Sequence, residues 1–242
     1  MHWKTTEQAR AYDTWATHPQ GMFALQQERR LLQNMLAPWP RRKQKLLDIG
    51  CGTGFFLDFF WEGGFDVTGI DISPAMLALA REKKGHRSDL HVGSAEHLPF
   101  ADREFDYASL LTVLEFVDDP GLALREAARV SRKGIVLLFL NKLSLYRCSV
   151  RLSRMDTALS RVQWFSWWRM RALIQKNLPS CYMRARSVLV GPPFTWRPVL
   201  GLRHLNSLFL PPWCGAVTAV RIDLTAPYAQ TPLMAWETEP SA

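Results

Sequence analysis

The chain has no long apolar run. Its longest stretches, such as IVLLFL at 135–140, fall far short of the roughly 20 residues a bilayer-spanning helix requires, so no segment is expected to cross a membrane. Cysteine is scarce. Cys51, Cys148, Cys181 and Cys214 lie too far apart for a Cys-x-x-Cys site, and none has a histidine at metal-ligand spacing. They are read as reduced thiols, with no bound metal and no disulfide framework. The opening segment, MHWKTTEQARAYDTW, is polar and lacks an apolar secretory core, which makes the cytoplasm the default compartment. There is no internal repeat and no low-complexity run. With 14 Gly, 15 Pro and 48% hydrophobic residues, collagen-like and disordered chains are excluded, and 242 residues suit one sizeable core.

Acid is what the second half lacks. Residues 1–120 carry 13 basic and 17 acidic side chains, whereas residues 121–242 carry 17 and 5. Between 141 and 203, 12 basic residues face the single acid Asp156. The net charge of +8 therefore belongs to one part of the chain and not to the protein as a whole.

Met22, Leu25, Arg29, Leu32 and Leu36 recur at helical spacing over 20–36, and Pro38-Trp39-Pro40 ends that helix. From there short apolar runs at 46–49, 67–70, 90–92, 107–111 and 135–140 read as buried strands, separated by helical patterns at 55–61, 75–83 and 122–130. Two further strands are expected at 186–190 and 216–224. Such alternation calls for an α/β fold with a mainly parallel sheet covered by helices on both faces. A Pro-rich excursion at 191–215 separates the last two strands, and at about 25 residues it is long for a plain connection and suits a lid or a substrate wall. Phe194, Trp196, Phe209 and Trp213 there could line one apolar pocket. The tail from residue 227 is expected to fray.

The strongest chemical signal is LLDIGCGTGFF at 46–56, an apolar strand, three glycines at alternate positions, then a helix. Glycines there let the backbone turn sharply and approach a ligand closely. The spacing G-x-G-x-G is not the G-x-G-x-x-G that seats a dinucleotide, and the lysine of a phosphate-binding loop is missing. Asp71 ends the second strand, where a carboxylate lies beside the first loop and can accept hydrogen bonds from both ribose hydroxyls. Capping the next helix falls instead to Ser73, which precedes Pro74.

Five segments in order, LLDIGCGTGFF at 46–56, GIDISPAML at 69–77, VGSAEHLPF at 92–100, FDYASLLTVLEFVDDP at 105–120 and LREAARVSRKG at 124–134, resemble the class I S-adenosylmethionine-dependent methyltransferases. The likeness is to the small-molecule branch that includes quinone and biotin-pathway enzymes. It covers about 90 residues, and the lead-in at 12–28 is similar too. The resemblance implies a Rossmann-like, doubly wound, mainly parallel seven-stranded sheet with an antiparallel C-terminal strand. It divides the chain into an N-terminal helical lid (1–40), a methyltransferase domain (41–226) whose insertions at 141–215 form the substrate side, and a tail (227–242). It implies S-adenosylmethionine as cofactor and a small acceptor, apolar or anionic. Residue by residue, Asp48, Gly50, Cys51, Gly52 and Gly54 would hold the methionine end, and Asp71 with Ile72 the ribose. Ser94, Ala95 and Glu96 would border the adenine, and Leu111 and Thr112 would line the reacting methyl. Tyr12, Trp15 and His18 would belong to the lid.

Two positions depart from the family pattern. Ser94 stands where an aspartate often bonds the adenine amine, and Phe116 replaces the histidine of a Leu-Glu-His-Val motif. A milder departure, Arg132-Lys133-Gly134 in place of Pro-Gly-Gly, concerns only the turn before the fifth strand. With the imidazole gone, Glu115 is the candidate general base by position, the competing role being a surface or capping carboxylate. A chain without a base could also be a non-catalytic S-adenosylmethionine-binding protein.

A helix from Leu145 would place Leu145, Cys148, Leu152, Met155 and Leu159 on one stripe, with Arg147, Arg151, Arg154 and Arg161 largely opposite. Trp164, Phe165, Trp167, Trp168, Arg169 and Arg171 follow. Residues 145–171 then either touch an anionic membrane or an amphiphilic substrate, or pack an apolar stripe on the core and leave the basic face to water. Aromatics among basic residues also suit single-stranded nucleic acid. No RNA-binding module precedes the core, and no N-P-P-Y type motif follows the fourth strand, so RNA or protein methylation ranks third.

Overall fold

A computed structural model describes residues 6–84, 88–152, 162–197 and 201–225. The expected tail, and Arg154, Met155, Leu159 and Arg161 of the proposed stripe, lie outside the described residues.

Seven strands form one sheet in the order β3-β2-β1-β4-β5-β7-β6. They are β1 (Gln44–Ile49), β2 (Phe65–Asp71), β3 (Asp89–Val92), β4 (Phe105–Leu111), β5 (Ser131–Leu140), β6 (Tyr182–Val188) and β7 (Val217–Asp223). β1 pairs parallel with β2 and β4, β2 with β3, and β4 with β5. β7 runs antiparallel between β5 and β6, so the expected mainly parallel sheet with one antiparallel C-terminal strand is what forms. Every residue of β4 is buried, as befits a central parallel strand covered on both faces.

The helices α1 (Thr6–Thr17), α2 (Pro19–Leu36), α3 (Leu57–Glu62), α4 (Pro74–Lys84) and α5 (Pro120–Val130) alternate with this sheet, followed by α6 (Leu145–Leu152), α7 (Trp167–Asn177) and α8 (Leu202–Ser207). Proline at the first helical position starts α2, α4 and α5, where its missing N–H costs nothing. Asp119 caps α5 by accepting from the Gly121 and Leu122 amides. α2 buries Phe23, Leu31, Leu32 and Leu36 and packs over β6 and β7, while α1 sets Ala9 against Met76 and Leu79 of α4.

Several boundaries differ from expectation. Phe55 and Phe56 belong to the glycine turn, and α3 starts only at Leu57. The fifth strand begins at Ser131, because Ser131 and Gly134 find partners in Phe105 of β4 and Asp223 of β7 although Ser-Arg-Lys-Gly has no strand-like pattern. The sixth starts early, at Tyr182, and stops before Leu189, whose φ of 64° breaks the ladder. The apolar stripe of α6 does not pack on the core. Leu145, Cys148 and Leu152 are exposed, and the side chain that anchors this helix is Tyr146, set against Trp164 and Trp196. The four aromatics of the Pro-rich excursion likewise do not form one pocket: Trp196 is buried, while Phe194, Phe209 and Trp213 face solvent.

Trp39 closes the bottom of the sheet. Its ring stacks on Tyr107 at 4.2 Å, and its Nε1 donates to Asp223 Oδ1 at 2.7 Å. It lies so close to β5 that a Cβ on Gly134 would come within 2.6 Å of the indole and 2.8 Å of the Ile222 carbonyl oxygen. Gly134→Ala should therefore lower stability by about 1–3 kcal/mol, seen as a lower urea midpoint at unchanged slope. An unchanged midpoint would show that Trp39 is not seated there.

Candidate functional site

The strand order reverses direction of growth between β1 and β4, and in open α/β sheets the crevice beyond the strand ends at such a point is where ligands bind. Three left-handed residues shape the turn leaving β1 there: Gly50 (φ 70°), Gly52 (φ 55°) and Gly54 (φ 81°). The first is needed for packing as well as conformation, since a Cβ on Gly50 would lie 2.5 Å from Val113. The second has open space: a Cβ on Gly52 would meet nothing within 4 Å. The turn thus presents a free backbone face at Gly52.

Asp71, at the tip of β2, fastens this turn. Its Oδ2 accepts from the Gly52 amide at 2.9 Å and its Oδ1 from the Ser73 amide at 2.8 Å. Burial raises its pKa and those two amides oppose the rise. Each oxygen keeps a further lone pair for a ligand. Ser73 takes the capping role expected of it, accepting from the Met76 amide at 3.3 Å. Ile72, beside the carboxylate, is 49% exposed.

Asp48 is buried, with Oδ1 accepting from the Ser109 hydroxyl at 2.6 Å. Burial lifts its pKa to about 7, against the Ser109 bond and with the help of Asp71. Cys51 is buried too, and burial first, then Asp48 and Asp71, push its thiol well above the usual range. Beyond β3, the Ser94 hydroxyl accepts from the Glu96 amide at 3.2 Å, and Glu96 Oε1 accepts from the Asp119 amide at 2.6 Å. That second bond joins the loops after β3 and β4. Ala95 between them is partly buried.

At the end of β4, Leu111 is buried and Thr112 takes φ 54°, an outlier for a β-branched residue that costs roughly 1–3 kcal/mol. Its hydroxyl donates to the Leu111 carbonyl at 2.6 Å and its amide to the Leu138 carbonyl at 2.7 Å. The strain lies next to Val113, the residue against which Gly50 packs.

Glu115 is neither on the surface nor capping a helix. It is 3% exposed, its Oε1 accepts from the Leu140 amide at 2.7 Å, and among the described residues its Oε2 has no partner. Burial raises its pKa to about 7 despite that amide. Glu28 of α2 is buried as well and raised to about 8, with Arg29 acting the other way.

The N-terminal helices meet the same turn. The Thr53 hydroxyl donates to Asp13 Oδ1 at 2.6 Å, Asp13 also pairs with Lys83, and Lys83 lies over the Phe55 ring at 4.9 Å. Arg29 Nη2 donates to the Phe55 carbonyl at 2.9 Å. Nothing in the local pattern singles out Asp13; only the packing of α1 on α4 brings it to Thr53. Of the expected lid residues, Trp15 and His18 are exposed, and the side chain of Tyr12 lies outside the described residues. A hollow between α2 and α3, lined by Gln33, Leu36, Arg41 and Phe59, includes none of these residues.

Asp48, Glu115 and Glu28 each hold a proton to higher pH when folded than at the ordinary values of 3.8 and 4.5. The folded chain then binds more protons than the unfolded one across that interval. Their contribution to stability is complete below the ordinary values and lost as pH rises through 7 to 8. Two carboxyls are held low instead. For Asp106, burial is outweighed by the Lys45 amide and Lys133; for Glu126, the bond from Arg129 outweighs burial, and both act only on the acid side of this window. The urea midpoint should fall between about pH 5 and about pH 8, with a shallower fall in Glu28→Gln. A flat or rising midpoint would contradict the burial of these groups.

Comparison with known proteins concerns mainly the half of the chain that carries the glycine turn. Residues 47–139 match the family described as "Methyltransferase domain". Malonyl-acyl-carrier-protein O-methyltransferase of Serratia marcescens is 38% identical over 96 residues, 40% of this chain and 37% of that protein. Ubiquinone biosynthesis O-methyltransferase of Azorhizobium caulinodans is 36% identical over 103 residues, 41% of each. The chain thus spans about two fifths of the length of these relatives. The crystal structure of a SAM-dependent methyltransferase of Thermotoga maritima superposes with a TM-score of 0.73 over 91% of this chain and 98% of that one, at 22% identity, a likeness of fold.

Proposed function

We propose that this chain, whose residues 47–139 match the methyltransferase-domain family, transfers a methyl group from S-adenosylmethionine to a small acceptor, apolar or anionic. The observation that carries the reading is the open glycine turn pinned by a strand-tip carboxylate, Gly52 against Asp71. The residues present suit the cofactor. Asp71 retains lone pairs for ribose hydroxyls, exposed Ile72 offers an apolar face to a flat base, and Ser94, Ala95 and Glu96 border the same crevice. Gly50, Cys51, Gly52 and Gly54 with Asp48 beneath them would hold the amino-acid end, and Leu111 and Thr112 would line the methyl.

When bound, S-adenosylmethionine supplies an electrophilic methyl carbon and needs no metal. What remains for the chain is to align the acceptor, exclude water and take up a proton where the acceptor carries one. Glu115 is our candidate base: its free oxygen and a pKa of about 7 leave it able to accept a proton in the neutral range. α1, latched to Thr53 through Asp13, would cover the site with Tyr12, Trp15 and His18 as its lid residues. Both relatives named above are O-methyltransferases, which favours an oxygen acceptor here. The cytoplasm remains the expected compartment; no described helix is long and apolar enough to cross a membrane.

Calorimetric titration with S-adenosylmethionine should show affinity weakened roughly ten- to a hundredfold in Asp71→Asn, the loss of a charged acceptor, and unchanged in Glu115→Gln. Transfer of labelled methyl into extract of cells lacking the protein should drop about 10²- to 10⁴-fold in Glu115→Gln, and the normal rate should rise as pH passes about 7. Unaltered binding in Asp71→Asn would remove the proposed site. Intact binding with no labelled product at any pH would leave a binding protein rather than an enzyme.

A further inference from the structure

Of the fifteen large apolar side chains that the described residues expose, ten lie beyond residue 141. Scattered singly, such side chains mean little; joined into a patch they mark a contact surface. Here two of them meet, and a third is carried by a turn tied to the same segments. Trp168 (56% exposed) stacks on Trp213 (47% exposed) at 6.2 Å and 26°. The Asn141 side-chain amide donates to the Trp213 and Gly215 carbonyls at 3.0 Å each, and the Leu143 amide donates to Asn141 Oδ1 at 3.1 Å. The Lys142 amide donates to the Phe165 carbonyl at 2.8 Å. The turn at 141–143, the start of α7 and the turn at 213–215 are thereby fixed together, with Leu143 60% exposed among them. Leu145 and Leu152 of α6, which follows this turn in the chain, are exposed as well.

Basic groups surround this patch. Lys142 and Arg169 are exposed, Arg169 resting over the Phe165 ring at 5.3 Å, and exposed Arg171 lies one turn along α7 from Trp168. The sequence from 141 to 203 offers them one acid, Asp156, against 12 basic residues. Tryptophan with leucine at the centre and lysine with arginine around them is the chemistry of a surface that seats its apolar side chains among lipid headgroups and its cations against anionic ones.

We infer that the Leu143–Trp168–Trp213 patch docks the protein on an anionic lipid surface. The contact is peripheral and its strength depends on salt, since the cations work through a surface potential that salt screens. It stands apart from methyl transfer and is measured without it.

The test is flotation with vesicles of phosphatidylcholine and phosphatidylglycerol, beside vesicles of phosphatidylcholine alone. The full chain should float with the mixed vesicles at low salt and sediment with the neutral ones or at high salt. Neutralising Lys142, Arg169 and Arg171 together to Gln should lower partitioning roughly a hundredfold, on the usual contribution of a basic residue near an anionic surface. Trp168→Ala with Trp213→Ala should weaken binding while its salt dependence persists. Circular dichroism and S-adenosylmethionine titration show that each variant is folded. Recovery at the bottom of the gradient with mixed vesicles at low salt would overturn the inference, as would flotation that neither set of substitutions alters. Retention on an immobilised acidic polypeptide without flotation would assign the patch to a protein and overturn it equally.

Discussion

One carboxylate holds two loops at once. Asp71 takes the Gly52 amide on one oxygen and the Ser73 amide on the other, so the turn after β1 and the start of α4 share a single anchor. The rest of the crevice is arranged around that anchor. Gly50 can approach Val113 only because it has no Cβ, and Val113 follows the strained Thr112 that turns the chain away from β4. The N-terminal helices attach to the same turn, through Thr53 to Asp13 and through the Phe55 carbonyl to Arg29. A change at Asp71 would therefore be felt in turn geometry, at the start of α4 and in the seating of the N-terminal helices on the turn.

The chain divides by chemistry as well as by position. From residue 47 to residue 139 it matches the methyltransferase-domain family, and it is net acidic through residue 120. Beyond Phe139 the family match stops, and the stretch of 12 basic residues against one acid, the exposed Trp168 and Trp213 and the α6 stripe fall in this remainder. Glu115 lies at the boundary: it follows β4 in sequence, yet its carboxylate is held by the Leu140 amide and its carbonyl by the Gln163 amide. Its position is thus set by the strand before it and by the segments at 140 and 163. Burial raises the pKa of Glu115, and of Asp48 and Glu28, so part of the folded chain's stability is lost as pH rises towards 8.

The sheet was legible in the sequence because buried parallel strands are apolar runs bounded by glycine or acid, which marks β1, β2, β4 and β5; the run at 90–92 does form a strand, but at the sheet edge and mostly exposed instead of buried as expected. The glycine turn and the place of Asp71 beside it were legible because both follow from position at the ends of β1 and β2. The remaining features depend on partners far apart in sequence. Ser131 is a strand residue only because Phe105 pairs with it, and Asp13 is a latch only because α1 crosses α4. Periodicity placed Leu145, Cys148 and Leu152 on one side of α6, but a period does not say which side meets the core, and Tyr146 turned out to supply the contact. Glu115 was singled out by its neighbours in sequence, with a surface or capping carboxylate as the competing role; the structure shows it buried instead. Its burial came from β5 and the segment at 163, which no local pattern announces.

Hydrogen exchange of the backbone with and without S-adenosylmethionine tests the central claim most directly, because it reads the amides of the glycine turn themselves. The account predicts slower exchange at 50–54, at Ser73 and at 94–96 when the ligand is added, with β6 and β7 unchanged. Unchanged exchange across 50–54 under saturating ligand, or slowing confined to residues beyond 141, would contradict it.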